Sequence, residues 1–162
     1  MPSKRADILD SAERRIRSFG YTGFSFRDVA SDVGIKSASV HHHFPTKGDL
    51  AAEVAHRYSD RFFEEVQSAK TVTQWTAAFR TALSQDGQLC LCGVLAANRD
   101  ALPPGVAQEA RAFFETAIEA LSKITGNVES ATRTLATLEG AMILARSLGD
   151  LSVYDTATKG LR

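Results

Sequence analysis

Proline and cysteine are scarce in this chain, and long runs of apolar residues are missing from it. Its 162 residues include four prolines, at positions 2, 45, 103 and 104, so most of the chain carries no helix breaker. Alternating runs of β-branched residues, which would predict strands, are absent as well. Together these absences favour an all-α fold, and the 44% of hydrophobic residues are enough to build a core.

The two cysteines exclude a disulfide framework. Cys90 and Cys92 are one residue apart, and a bond between such near neighbours would be strained. Free thiols fit a reducing compartment. The chain has no run of about 18 apolar residues, so no membrane helix is predicted. The N-terminus also lacks the apolar core of a signal peptide, and we therefore expect a cytoplasmic protein.

The charges balance, with 19 Lys and Arg residues against 19 Asp and Glu residues. A protein that is basic overall is thereby excluded, although a basic face on one small domain is not. A nucleophile elbow, a phosphate-binding loop, a paired zinc motif and a dinucleotide fingerprint are all absent. We therefore expect neither an enzyme nor a cofactor, which leaves a DNA-binding protein or a helical protein-interaction module.

Helical periodicity and stop signals predict about nine helices. In the first part of the chain they lie at about 4–19, 25–33, 37–43 and from Thr46 to at least 66, with breaks at Gly20 and Gly34. In the second part the pattern predicts helices at about 71–86, 89–97, 106–121, 128–148 and 151–161. Thr46 with Asp49, and Thr71 with Gln74, have the spacing of capping boxes.

The strongest local signal is a pair of short helices joined by a tight turn. Ala30 is small where the helices would cross, Gly34 takes the turn, and Ile35 and Val40 pin the second helix. This is the spacing of a helix-turn-helix, whose second helix enters the major groove of DNA. A plain helical hairpin is the alternative that this pattern leaves open.

Three stretches of the first 50 residues resemble the DNA-binding domain of the TetR family. They are ILDSA at 8–12, GYTGFSFRDVA at 20–30 and VGIKSASVHHHFPTKGDL at 33–50, the last being highly specific for that family. The resemblance implies an N-terminal three-helix helix-turn-helix domain, 1–48, and a helical effector-binding and dimerisation domain, 49–162. It also implies a homodimeric repressor that binds double-stranded operator DNA and is released by a small-molecule effector.

The resemblance assigns DNA contacts residue by residue. Ser25 and Arg27 would contact phosphate, as would Lys47 at the N-terminus of the fourth helix. His41 stands where the family usually has a phosphate-contacting tyrosine. The remaining members of the set, which would face bases or nearby phosphates, are Lys36, Ser37, Ala38, Ser39 and His42.

The resemblance also implies an effector pocket and a dimer interface in the second domain, and the residues expected for each could also be ordinary core. The residues expected to line an effector pocket are Trp75, Phe79, Cys90, Val94, Phe113, Ala117 and Met142. Those expected at the dimer interface are Leu135, Leu138, Met142, Ala145 and Leu148. The apolar character of the first set suggests a small, weakly polar or electrophilic effector.

The histidines and cysteines invite sharper hypotheses. Three consecutive histidines, His41 to His43, project about 100 degrees apart on a helix and cannot converge on one ion, so we expect no metal site. Cys90 and Cys92 would point to opposite sides of one helix, with one of them facing a pocket or solvent. A thiol-based redox or electrophile sensor therefore stays open as the alternative function, beside two plain buried thiols.

Overall fold

The computed structural model describes residues 3–162, apart from the side chain of Asp86, and nine α-helices account for most of them. Within this range there is no β-strand, so the predicted all-α fold is confirmed. No helix in the described range is both long and apolar enough to cross a membrane. In chain order the helices are Lys4–Phe19 (α1), Phe26–Val33 (α2), Ser37–His43 (α3), Lys47–Val66 (α4), Val72–Asp86 (α5), Leu91–Ala96 (α6), Pro104–Thr125 (α7), Val128–Leu148 (α8) and Ser152–Thr158 (α9).

The predicted caps explain where several helices begin. At α4, the backbone N–H of Asp49 donates to Thr46 Oγ1 over 3.1 Å, and the Asp49 carboxylate accepts from the Thr46 N–H over 3.0 Å. At α5, the Gln74 N–H donates to Thr71 Oγ1 and the Gln74 side chain accepts from the Thr71 N–H. Each pair satisfies backbone donors that the first helical turn leaves without partners.

Gly34 ends α2 and sets the turn into α3. Its φ of +70° lies in the left-handed region that favours glycine. The N–H of Gly34 donates to the carbonyl of Ser31 (3.3 Å), and the N–H of Ile35 donates to that of Ala30 (3.0 Å). This paired closure of a helix end fixes the direction in which α3 leaves.

The chain divides into two compact units, and the boundary falls inside α4 and inside α7. The first unit comprises the residues up to Asp60 and Leu91–Arg111, and the second comprises Arg61–Cys90 and Ala112–Arg162. The predicted functional division after residue 48 stays a prediction, and its first two residues lie outside the described range. In packing terms, however, much of α4 and all of α6 belong with α1–α3.

The first unit is built on a small aliphatic core. Ile8 and Ile16 of α1, Val29 of α2, Val40 of α3 and Leu50 of α4 are each 0% exposed. These residues follow the spacing that the sequence predicted for one face of each helix. Because α3 has only seven residues, its single fully buried side chain, Val40, is what anchors it.

The second unit is built on aromatic residues. The Phe62 ring of α4 lies 5.6 Å from that of Trp75, 5.1 Å from Phe79 and 5.4 Å from Phe113, measured between centroids. Tyr154 of α9 is also fully buried, and its hydroxyl donates to the carbonyl of Thr76 over 2.9 Å. These contacts tie α5, α7 and α9 into one core.

The sixth helix is shorter than predicted. It covers Leu91–Ala96 rather than 89–97, so Cys90 lies before it and does not follow its register. Cys90 and Cys92 are 1% and 0% exposed. The expectation that one thiol faces a pocket or solvent is therefore wrong: because the segment before Leu91 is not helical, both side chains can turn inward.

Candidate DNA-binding interface and effector site

An ion pair locks α2 against α1. Arg15 donates from Nε and Nη2 to the two carboxylate oxygens of Asp32, each over 2.7 Å, and Ser11 Oγ donates to the same carboxylate over 2.6 Å. A guanidinium that holds a carboxylate through two parallel bonds fixes orientation as well as distance. The angle at which α2 presents the following turn is therefore held by side chains that no local sequence pattern indicates.

The same contacts perturb the titration of Asp32. Hydrogen bonds from Arg15 and Ser11 lower the pKa of the Asp32 carboxyl to about 2. The charged form is thus favoured in the folded protein. The lock is complete at neutral pH and weakens only in strong acid.

Most of the residues predicted to contact DNA are exposed, and all of them except Lys47 lie on α2, on α3 or next to these two helices. Only Ser37 and Lys47 are half-buried. The exposed members are Ser25, Arg27, Lys36, Ala38, Ser39, His41 and His42. The arrangement can present polar groups and two cations to a groove, and the individual contacts stay predictions.

Ser25 is the N-cap of α2. Its hydroxyl accepts from the Asp28 N–H over 3.2 Å and donates to the Asp28 carboxylate over 2.7 Å. This second bond is the main reason why the pKa of Asp28 is lowered. A phosphate contact by Ser25 would have to share or replace this bond.

Lys47 is held by two aromatic rings. Its Nζ lies 4.5 Å from the centroid of Tyr21 and 4.6 Å from that of Phe24. Burial lowers the pKa of the ammonium group, while the nearby Asp28 carboxylate acts in the opposite direction. The predicted phosphate ligand is therefore a partly dehydrated cation at the first turn of a 20-residue helix. The two rings, Tyr21 and Phe24, form a cradle for the ammonium group, and the only sequence signal for it was that two aromatic residues lie in and directly after the turn at 21–23.

His41 packs against α2. Its ring lies edge-on to Phe26 with centroids 4.5 Å apart, while the residue itself remains exposed. His42 and His43 also contact each other edge-to-face at 5.6 Å. Among the side chains that the structure describes, no group of three or more potential metal ligands could hold an ion, and the expectation of no metal stays a prediction.

The residues predicted to line an effector pocket are mostly packed against other side chains. Trp75, Phe79 and Phe113 belong to the aromatic cluster around Phe62 and are no more than 2% exposed. Ala117, Met142 and Cys90 are buried too, whereas Val94 of α6 is half-buried. Of this set, Trp75 also lines a cleft of about 510 Å³ in the second unit. Their role in effector binding stays a prediction.

The residues predicted for the dimer interface are mostly turned inward. Leu135, Leu138, Met142 and Ala145 are between 0% and 4% exposed within the single chain, because α8 uses this face for its own core. Leu148, in contrast, is 67% exposed. The apolar side chains of α8 that the single chain leaves exposed near the C-terminal end of the helix are Ile143 (56% exposed), Leu144 (52%) and Leu148, and the residues of the dimer interface stay a prediction.

The surroundings of the thiols do not support the sensor hypothesis. Cys90 hydrogen-bonds to the carboxyl of Glu139, whose pKa burial raises to about 7. Cys92 Sγ lies 3.9 Å from the Ser59 hydroxyl. A reactive thiolate needs access and a positive neighbour, whereas these thiols are buried and Cys90 faces an acid.

A family profile and a curated protein both match the N-terminal region. The profile described as bacterial regulatory proteins, tetR family, matches residues 8–54. The HTH-type transcriptional repressor KstR2 of Mycolicibacterium smegmatis is 32% identical over 65 residues, which are 40% of this chain and 32% of that protein. The matched region therefore spans about a third of that relative's length.

Solved structures match almost the whole chain. A TetR transcriptional regulator from Legionella pneumophila is 27% identical with a TM-score of 0.88, covering 100% of this chain and 99% of its own. A TetR-family regulator from Agrobacterium tumefaciens is 28% identical with a TM-score of 0.91, covering 96% and 94%. Residues 8–54 therefore carry the DNA-binding region of the TetR family, and the whole chain shares its fold from end to end with TetR-family transcriptional regulators.

Proposed function

We propose that the chain is a cytoplasmic repressor that binds operator DNA as a homodimer and leaves it when a small-molecule effector binds. The observation that carries the proposal is the exposed α2–α3 element, whose orientation the Arg15–Asp32 pair holds. Its outer face offers Arg27 and Lys36 to phosphates and small polar residues to base edges. No catalytic turnover belongs to this proposal.

Lys47 is the contact on which we place most weight. Its ammonium group is already partly dehydrated between Tyr21 and Phe24, so less hydration is lost when a phosphate approaches. It also sits at the first turn of α4, where the helix dipole favours an anion. A phosphate bound there would be stabilised both by the partly dehydrated ammonium group and by the dipole of α4.

A second copy of the chain is the natural partner of the exposed face of α8. Ile143, Leu144 and Leu148 are all more than half exposed, and a monomer rarely leaves such a group uncovered. A Cβ added at Gly140, one turn before Ile143, would meet nothing within 4 Å. Packing within the chain thus does not require a glycine at this position. The close approach of a partner helix would require one.

A dimer also suits the expected DNA site. One helix-turn-helix reads too few base pairs for a unique operator, so such proteins bind paired half-sites about one DNA turn apart. We propose that the effector acts by changing the orientation of α4, which carries Lys47 in its first turn and Phe62 in the aromatic core. An effector can do this only to the extent that it prefers one of the two states.

The test is DNA binding by fluorescence anisotropy at several salt concentrations. The probe is the segment immediately upstream of the gene, with a fragmented genomic pool as the second probe. We expect tight binding that falls steeply with salt, and a loss of about 1 kcal/mol for Lys47→Ala at every related sequence.

Lys159→Ala is the matched control, because Lys159 is an exposed lysine at the end of α9. It should leave affinity unchanged. If the protein binds neither probe, the repressor proposal fails and the interaction-module alternative returns. If both lysine variants weaken binding equally, Lys47 has no specific role.

A further inference from the structure

The cleft beside Trp75 is open space that the aromatic core leaves unfilled. It lies in the second unit, measures about 510 Å³ and is lined by the last turns of α4, the start of α5 and the second half of α7. This volume is in the range of small-molecule sites, about 300–1,000 Å³. Phe63, Val66, Trp75 and Ile124 supply apolar surface, and Lys70 and Lys123 also line it.

The charges of the cleft have one sign. No Asp or Glu is among its described lining residues. Lys70 makes no ion pair with any residue that the structure describes. Lys123 pairs with Glu119 over 3.0 Å, but both side chains are more than 70% exposed, and such a pair is weak and easily exchanged.

The helix ends at the cleft act in both directions, because the start of α5 favours an anion whereas the last turns of α4 and α7 favour a cation, so the positive character comes from the two lysines. Lys70 immediately precedes Thr71, the N-cap of a 15-residue helix. The N-terminal end of a helix carries a partial positive charge that favours anions. An apolar surface lined also by two lysines and by no acid fits a molecule with an apolar body and a single anionic end, whereas it disfavours an amine.

We propose that this cleft binds a small amphiphilic anion, such as an alkyl or aryl carboxylate. The apolar body would contact Phe63, Val66 and Trp75, and the carboxylate would meet the ammonium groups of Lys70 and Lys123. This ligand class differs from the weakly polar or electrophilic effector expected from the sequence. The role of the bound anion as the effector rests on the proposed function, whereas its binding does not.

Two features of α4 connect the cleft with DNA binding. Phe63 and Val66 lie in the last turns of α4, and Lys47 opens the same helix. An occupant that repacks the end of α4 can therefore change the population of states in which Lys47 is placed to contact phosphate.

Trp75 makes binding directly measurable. It is the single tryptophan of the chain, so intrinsic fluorescence of the intact protein reports on this cleft. We would titrate the wild-type protein with decanoate, decylamine and 1-decanol, each kept below its aggregation concentration. We expect a saturable change with decanoate and at least tenfold weaker binding of decylamine, with decanol in between.

Matched variants test the charges. Lys70→Gln with Lys123→Gln should weaken decanoate at least tenfold and leave decanol nearly unchanged, and Lys159→Gln should have no effect. No saturable change with decanoate, equal affinity for decanoate and decylamine, or an unaffected double variant would overturn the proposal.

A second readout separates this proposal from the repressor function. The anisotropy of wild-type protein on its DNA probe would be followed while decanoate is added. Release of DNA at concentrations that saturate the Trp75 signal supports the effector role. Saturation without release leaves the anion site standing and overturns its effector role, and failure of the apo protein to bind DNA overturns only the repressor function.

Discussion

The two compact units use opposite kinds of residue for the roles proposed here. In the first unit the candidate functional side chains are polar or small and mostly exposed, as at Arg27, Lys36 and Ser39. In the second unit the predicted ones are apolar, and most are buried, as at Phe113 and Leu138. An exposed polar residue in a known motif has few competing explanations, whereas a buried apolar residue is explained by the core alone. A local sequence pattern can therefore predict the exposed polar kind of site, whereas it cannot separate the buried apolar kind from ordinary core.

The largest effect should follow from opening the aromatic core. Phe62→Ala removes the ring that contacts Trp75, Phe79 and Phe113, and we expect the free energy of unfolding to fall by about 3–5 kcal/mol. Denaturant unfolding measures it. Phe19→Ala is the control, since that ring is 64% exposed, and it should change stability by less than about 0.5 kcal/mol. Equal effects would contradict the assignment of Phe62 to the core of the second unit.

The exposed face of α8 should show the next largest effect. Ile143→Glu with Leu148→Glu places two carboxylates on the proposed interface, and we expect dimerisation to weaken at least about 100-fold, roughly 2.7 kcal/mol. Light scattering after size-exclusion chromatography measures the mass.

Val128→Glu provides the control for that experiment. Val128 is 63% exposed and lies at the other end of α8, so the dimer should persist. A double variant that keeps the dimeric mass would show that this face is not the interface.

A buried acid distinguishes the second unit by its pH dependence. Burial raises the pKa of Glu139 from 4.5 to about 7, so the stability gained from its neutral form is complete below about 4.5 and is lost as the pH rises through about 7. Glu139→Gln has nearly the same shape as the neutral acid and carries no charge at any pH. Its free energy of unfolding, relative to that of the wild type, should therefore rise by up to about 3 kcal/mol between pH 5 and pH 8.

Thermal unfolding at closely spaced pH values checks this expectation. Glu129→Gln is the control, because Glu129 is exposed on the same helix and pairs with Arg133. Its stability curve should run parallel to that of the wild type. A parallel curve for Glu139→Gln as well would contradict the buried-acid interpretation.

The smallest expected effect concerns the cradle of Lys47. Tyr21→Leu keeps an apolar contact but removes one ring, and DNA affinity should drop by about 0.5–1 kcal/mol. Tyr21→Phe keeps the ring face and should retain wild-type affinity. Salt-dependent anisotropy with both variants is the measurement. If Tyr21→Phe is as weak as Tyr21→Leu, the hydroxyl matters and the ring does not.

Particular residues explain why the fold was predictable. Ser25, Thr46 and Thr71 begin helices because their hydroxyls accept from backbone N–H groups three residues on, and Gly34 ends α2 because it adopts a positive φ. These are local interactions within a few residues. The exposed polar set of the helix-turn-helix followed from the same local pattern.

The remainder depended on contacts between distant residues. The Arg15–Asp32 lock and the cradle of Lys47 join residues far apart in sequence, and no local pattern specifies such pairs. The non-helical segment before Leu91 likewise turned Cys90 inward against expectation.

The sequence by itself determined the number of helices, the ends of those that have a cap or a terminal glycine, and the polar face of the helix-turn-helix, because caps, glycines and helical period act locally. Only the tertiary structure decided which side of α8 is core and which is exposed, because Leu138 and Leu148 are chemically alike and differ only in their neighbours. It also decided that Phe79 and Phe113 pack around Phe62 in the core, and that Trp75 lines a cleft that Lys70 and Lys123 line as well. Burial is a property of the packed chain, and the same type of apolar side chain can either pack in a core or remain exposed.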